Sequence, residues 1–169
     1  MAKEPAHKGP KTNAMRVLDA HHVAYEAHYY PATLHVATEV AAAIGAAPGE
    51  VFKTLVVLPE SGSGRPLLVV VPSDQELDLK ALGVQPEVGE KRLRMATQRE
   101  AERLTGLLVG GISPLALLQK GFRIFIDQSA LALDPLYLSG GQRGVNLRVP
   151  VADLLRVTGA TPVPTRHDE

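Results

Sequence analysis

Cysteine is absent from all 169 residues, which excludes disulfides, thiolate metal sites and a cysteine nucleophile together. Tryptophan is missing too, and three Phe and four Tyr are the whole aromatic complement. Extensive base stacking on a single nucleic-acid strand therefore has little to work with. The core must be aliphatic, drawn from a composition that is 45% apolar. No long hydrophobic run exists: the longest aliphatic stretch is Leu67 to Val71, far below the ~18 residues a membrane span requires. Neither sign of charge dominates, with 18 basic against 18 acidic residues, so net charge selects no partner and leaves local patches open. The opening stretch, Met1 to Lys11, is polar and has no apolar segment of the kind a signal peptide needs. A cytoplasmic protein with no membrane partner is the expectation.

Recognisable catalytic spacings are also missing. Six histidines (His7, His21, His22, His28, His35 and His167) fall in no HExxH or other tight ligand pattern, so no metal is expected. No G-x-S-x-G elbow presents a serine, and the carboxylates form no telling pair. Whatever this chain does, it offers few nucleophiles.

What is present reads as one α+β domain with a curved mixed β-sheet, barrel-like and surrounded by helices. Thr12 or Asn13 caps a first helix with Ala14, Val17 and Leu18 on its apolar face, and Val23 to Tyr30 is extended. Thr38 is placed as the cap of a second helix, Glu39 to Ile44, stopped by Gly45. Strands follow at Val51 to Leu58 and Leu67 to Pro72, joined through Ser61-Gly62-Ser63-Gly64. Asp78 to Leu82 is a short helix, and Arg92 to Met95 a short strand. Thr97 and Glu100 form a capping box for a helix ending near Gly106. Leu107 to Val109, Phe122 to Asp127, Leu136 to Leu138 and Val145 to Val149 read as strands. A last helix runs from Pro150 to Gly159. The organisation expected is a flexible arm at 1–11, a domain at 12–160 and a loose tail at 161–169.

Three segments carry the chemistry. Lys53 enters an apolar strand, sharing a face with Leu55 and Val57 while Phe52, Thr54 and Val56 occupy the other. A lysine at the mouth of such a strand acts strongly on a bound anion or a developing oxyanion, although strand-end lysines also snorkel to water. Gly110-Gly111, followed by Ile112-Ser113-Pro114, can offer backbone amides as a nest for a carbonyl or oxyanion, or can be an ordinary tight turn. Ser139-Gly140-Gly141-Gln142-Arg143-Gly144 has the composition of a phosphate cradle. It fits neither GxxxxGK[ST] nor GxGxxG, so a nucleotide motif fails on spacing. Together they suggest a pocket of amides and one fixed cation, suited to an ester or a phosphate. Candidates for RNA contact are Lys8, Lys11 and Arg16, then Lys91, Arg92 and Arg94, then Lys120, Arg123 and Arg143. Contact through them would be mostly to the backbone. The middle group is interleaved with Glu87, Glu90, Glu100 and Glu102, as on a solvated mixed-charge face.

Taken in order, several segments resemble the YbaK/EbsC family of aminoacyl-tRNA deacylases, in its Cys-tRNA(Pro) branch. They are Thr12-Asn13-Ala14-Met15, His28-Tyr29-Tyr30, Phe52-Lys53-Thr54-Leu55-Val56-Val57, Glu76-Leu77-Asp78-Leu79-Lys80, Thr105 to Pro114, and Tyr137-Leu138-Ser139-Gly140-Gly141. The resemblance implies a YbaK-like fold with Lys53 as the essential catalytic lysine. It places Gly111, Ser139 and Tyr30 at the substrate, with Gly110, Ile112, Ser113, Gly140 and Asn146 as further substrate-binding positions. Asn146 stands where several members have Asp. Leu115-Ala116-Leu117-Leu118 stands where members often carry Gly-Gln-Lys-Lys, which removes positive charge toward tRNA.

The implied reaction removes cysteine mischarged on proline tRNA, with the substrate's own thiol attacking its ester carbonyl. No cofactor is implied. The implied partners are the aminoacylated acceptor end of tRNA and prolyl-tRNA synthetase. Two alternatives stay open: a deacylase of other specificity, such as for Ala-tRNA(Pro), and a non-catalytic aminoacyl-tRNA or nucleotide-binding module.

Overall fold

In the computed structural model, which describes residues 11–166, the chain builds α1 (Asn13–Ala20), β1 (Glu26–Tyr29), α2 (Ala37–Ile44), β2 (Phe52–Pro59) and β3 (Leu67–Pro72). It continues through α3 (Leu79–Gly83), β4 (Leu93–Met95), α4 (Gln98–Thr105), β5 (Arg123–Asp127), β6 (Pro135–Ser139), β7 (Val145–Pro150), α5 (Val151–Thr158) and β8 (Thr161–Val163). Local chemistry accounts for most of the boundaries. The Thr12 side chain accepts from the Met15 amide at the start of α1, and Asp78 accepts from Lys80 and Ala81 at α3. Thr97 and Glu100 form both halves of a capping box at α4. Gly45, Gly106 and Gly159 end α2, α4 and α5 in the left-handed conformation, which costs glycine little.

β3 is buried at all six positions. Its uninterrupted Leu-Leu-Val-Val-Val run suits a central strand covered on both faces. The five-stranded sheet has the order β4-β2-β3-β5-β8. β2 is antiparallel to β3 and β4, whereas β5 is parallel to β3 and β8 parallel to β5. One face packs Val57, Leu67, Val69, Val71 and Phe125 against Leu82, Val88, Leu93 and Val163. On the other face, Val56 and Leu68 meet Ala101, Ile112, Leu117 and Phe122. Phe52, Val70 and Ile126 of the same sheet join α1, α5 and the β1-β7-β6 sheet in the largest core cluster.

The architecture is thus the expected mixed α+β domain, with one correction to its shape. It has two sheets, not one barrel-like sheet. Among the described residues their backbones pair only at one parallel bridge, between Val51 and Tyr137, and neither closes on itself.

Three local expectations are also corrected. The tail does not come loose at Thr161: Thr161–Val163 extends the larger sheet as β8. Beyond it the wholly buried Thr165 accepts from Gln75 Nε2 and donates to Asp127 Oδ1. Thr38 is not a cap, because α2 starts at Ala37 after an extended Val36 with no side-chain bond. Leu107 to Val109 is a turn, since its amides go to side chains: Leu107 N to Thr105 Oγ1, and Val109 N to Glu102 Oε2. The arm at 1–10 and residues 167–169 lie outside the described residues, taking Lys8, His7 and His167 with them. Among the described residues no helix is long and apolar enough to cross a membrane.

Candidate active site

β4 pairs only with Val57–Pro59, so the first half of β2 has no strand on that side. Residues from both faces of β2 open onto the gap, and a cavity of about 150 Å³ forms there. Its wall includes Phe52, Lys53, Thr54 and Leu55 of β2, Tyr30 after β1, Ser139 and Asn146 of the smaller sheet, and Val109, Gly110 and Ile112. His35, Ala37, Val40 and Val51 complete it. The volume lies below that of drug-sized sites, and its size and apolar wall suit a small group.

Lys53 pairs with Val71 in the sheet register and is half-buried. Its Nζ donates to the Ser73 carbonyl at 3.4 Å, a long and weak bond that leaves ammonium N–H groups for a ligand. Ser73 is itself fixed, its hydroxyl donating to Pro48 O at 2.7 Å and its amide to Val51 O at 2.7 Å. Lys53 is the one Lys, Arg, Asp or Glu side chain in the cavity wall among the described residues. Tyr30 is buried, its amide bonded to Gly144 O at 3.0 Å. Burial raises its phenol pKa, outweighing the Gly144 backbone and the Asn146 side chain, which pull it down. The Ser139 hydroxyl accepts from the Gly141 amide at 3.2 Å. Asn146, the centre of the smaller sheet, sits between His28 of β1 and Ser139 of β6.

Of the residues singled out from sequence, Lys53, Tyr30, Gly110, Ile112, Ser139 and Asn146 meet at the cavity. Gly111, Ser113 and Gly140 are placed behind it. The Gly111 amide donates to Leu108 O at 2.7 Å and the Gly140 amide to Val145 O at 2.9 Å, so neither N–H is free for an oxyanion. Ser113 is completely buried and its hydroxyl accepts from Leu115 N. Their work is to hold the rim. A Cβ on Gly111 would lie 2.8 Å from Gln142 Cα and 2.9 Å from Arg143 N, so the two glycine loops pack backbone to backbone. Arg143 Nε donates to Val109 O at 2.6 Å, and Glu102 Oε2 accepts from Val109 N, which lowers the Glu102 pKa. Val109 is thereby held on both sides. Gly110, at φ +93°, passes so close to His35 that an added Cβ would sit 2.5 Å from the His35 Cβ.

Among the polar residues of the wall, two lie outside the sequence-based expectation. His35 carried no signal, since nothing local links it to Gly110. Thr54 was placed on a strand face without a role, although β2's uncovered edge brings it in.

The basic residues considered for RNA are largely occupied among the described residues. Lys11 pairs with Asp19, Arg94 with Glu100, and Arg123 with the carbonyls of Glu87 and Val88. No group of three metal-ligating side chains occurs among the described residues.

Comparison with known proteins identifies the family and the fold. Residues 32–157 match the family described as an aminoacyl-tRNA editing domain. The chain is 32% identical over 160 residues to EbsC of Enterococcus faecalis, whose name proposes a Cys-tRNA(Pro)/Cys-tRNA(Cys) deacylase. That match covers 94% of this chain and 93% of the relative. Among solved structures, one described as a proposed trans-editing enzyme for prolyl tRNA synthetase superposes with a TM-score of 0.73 at 28% identity, covering 95% of this chain and all of that one. The hypothetical protein APE2540 superposes with a TM-score of 0.78 at 27% identity, covering 90% and 99%.

Proposed function

The chain belongs to the aminoacyl-tRNA editing family, and from that premise we propose that it is a trans-editing deacylase that clears cysteine from mischarged Cys-tRNA(Pro). The observation that carries this reading is the cavity itself: a small pocket whose wall, among the described residues, holds one lysine, Lys53, and no carboxylate. Such a pocket can bind and polarise an ester, but its one imidazole, His35, has no wall carboxylate to orient it toward a protein nucleophile in the manner of a triad. A reaction whose nucleophile belongs to the substrate fits it.

The proposed course begins with the aminoacyl group entering between β2 and the Val109–Gly110 rim, with the terminal adenosine at the mouth. Lys53 Nζ faces the ester carbonyl and stabilises the oxyanion as it develops. The substrate's thiol gives its proton to water, its sulfur attacks its own carbonyl carbon, the ester C–O bond breaks, and the ribose oxygen leaves taking a proton back from water. Cysteine departs as a four-membered thiolactone that water opens afterwards. Confinement contributes by holding thiol and ester in one rotamer, with Ser139 and Tyr30 orienting the aminoacyl group. The near-balanced charge of the chain fits a protein that does not grip tRNA tightly alone. Delivery by prolyl-tRNA synthetase belongs to the same proposal.

The test is deacylation of Cys-tRNA(Pro) beside Ala-tRNA(Pro). Rapid loss of cysteine with alanine at least tenfold slower supports the reading. Equal rates on both would replace it with a water-dependent deacylase of other specificity, and tRNA binding without turnover would replace it with a binding module.

A further inference from the structure

Two residues of the cavity wall each carry a side-chain oxygen that has left water without finding a partner. Asn146 is only 4% exposed, yet its Oδ1 accepts no hydrogen bond, and the buried Thr54 Oγ1 has none either. Buried polar groups are normally satisfied, and an amide oxygen can only accept. Two unsatisfied oxygens on residues lining one small cavity, of which the Asn146 oxygen can only accept, point to a ligand that brings an N–H donor.

The charge around that place decides what kind of donor it is. The ionisable groups facing the cavity are Lys53 from β2, His35 from the segment ahead of α2 and Tyr30 from the end of β1; His28 of β1 lies opposite Asn146 on the same face of the smaller sheet and pairs with Glu26. Arg143 stands behind the rim, bonded to Val109 O. Among the described residues no acid lines the wall; Glu102 behind it is engaged with the Val109 amide, and Glu26 of β1 with His28 and Arg148. An ammonium here would meet the Lys53 charge with no counter-charge to offset it. An uncharged amine would meet neutral acceptors alone.

Resting on the deacylase reading above, we infer that the pocket takes the aminoacyl substrate with its α-nitrogen as the neutral amine, donating to Asn146 Oδ1 and Thr54 Oγ1. The consequence is a pH-gated affinity. An α-amine titrates near pH 7.7–8.0 in model compounds, so binding should strengthen about tenfold per pH unit below the ligand's amine pKa and level off above it.

The test uses two stable ligands on the full chain, followed by calorimetry from pH 6 to 9. One is adenosine carrying α-aminobutyrate through a 3′-amide, with a methyl group where cysteine has its thiol. The other is the same molecule without the amine. Any titration of His35 or another protein group affects both ligands, so their ratio isolates the amine. The expected result is an amine-to-desamino affinity ratio that rises with pH to at least tenfold at pH 9. Asn146→Asp should invert the trend, favouring the amine ligand at pH 6, and the wild-type ligand pair carries the test alone if that variant does not fold. Equal affinity of the two ligands at every pH, or a ratio highest at acid pH in wild type, would overturn the inference while leaving the deacylase reading intact. Failure of both ligands to bind at any pH would overturn the reading and the inference together.

Discussion

Gly111→Ala is the sharpest probe of how the pocket rim is built. The new methyl would sit 2.8 Å from Gln142 Cα and 2.9 Å from Gln142 C and Arg143 N. Carbon atoms rest at about 3.5–4.0 Å, so the two glycine loops must part by roughly 1 Å. All three obstacles are backbone, which cannot swing aside as a side chain would. Overpacking of this kind costs about 1–3 kcal/mol. Separation would also stretch the 2.6 Å bond from Arg143 Nε to Val109 O, adding on the order of 1 kcal/mol.

A loss of roughly 2–4 kcal/mol in a chain of this size lowers Tm by about 5–15 °C, measurable by thermal denaturation. Because the Val109–Gly110 rim would move with the loop, deacylation at a temperature where the variant is folded should fall about 10²-fold. Gly106→Ala is the matched control. It lies at φ +74° with nothing within 4 Å of an added Cβ, so it carries backbone strain of about 1–2 kcal/mol and no displacement of the rim. Its activity should stay near wild type. A Gly111→Ala protein with unchanged Tm and unchanged kcat/KM would refute the stacked-loop account.

Two further predictions concern stability. Thr165→Val removes the hydroxyl joining Gln75 to Asp127 and should lower the unfolding free energy by about 1–3 kcal/mol in urea; no loss would mean the tail after β8 is dispensable. The Glu100 carboxyl is held at about 2, below its ordinary 4.5, first by the Arg94 hydrogen bond and then by the Thr97 amide. Because the folded value is the lower one, its stabilising contribution is complete above about pH 4.5 and disappears as the pH falls toward 2. Glu100→Gln should flatten that part of the acid limb of a stability–pH curve, and an unchanged limb would show that the pair contributes nothing there.

Much of this architecture was legible because it rests on short-range rules. The apolar runs at Phe52–Leu58 and Leu67–Val71 announce buried strands. The Thr97–Glu100 box and the glycines at 45, 106 and 159 set helix ends by chemistry contained within a few residues. Lys53 stood out because a charge entering such a strand is rarely idle. What stayed hidden depends on distant partners. Nothing in Thr161-Pro162-Val163 shows that β5 has a free edge for it to join. The Leu107–Val109 segment has strand-like residues, yet Thr105 and Glu102 take its amides. Gly111 and Gly140 read from sequence as amide donors; their N–H groups are used internally, and Gly111's lack of a side chain is what lets two loops 30 residues apart stack. His35 and Thr54 enter the pocket only through the fold.

The central claim is that Lys53 supplies the electrostatic stabilisation for ester cleavage in this pocket. The most direct measurement is single-turnover release of cysteine from Cys-tRNA(Pro) by wild type, Lys53→Ala and Lys53→Arg, with circular dichroism and Tm recorded for each. Loss of one oxyanion-stabilising group predicts a fall of at least about 10²-fold for Lys53→Ala, partial or no rescue by Arg, and a fold and Tm close to wild type, since Nζ makes only the 3.4 Å bond to Ser73 O. A folded Lys53→Ala protein that releases cysteine at the wild-type rate would contradict the account.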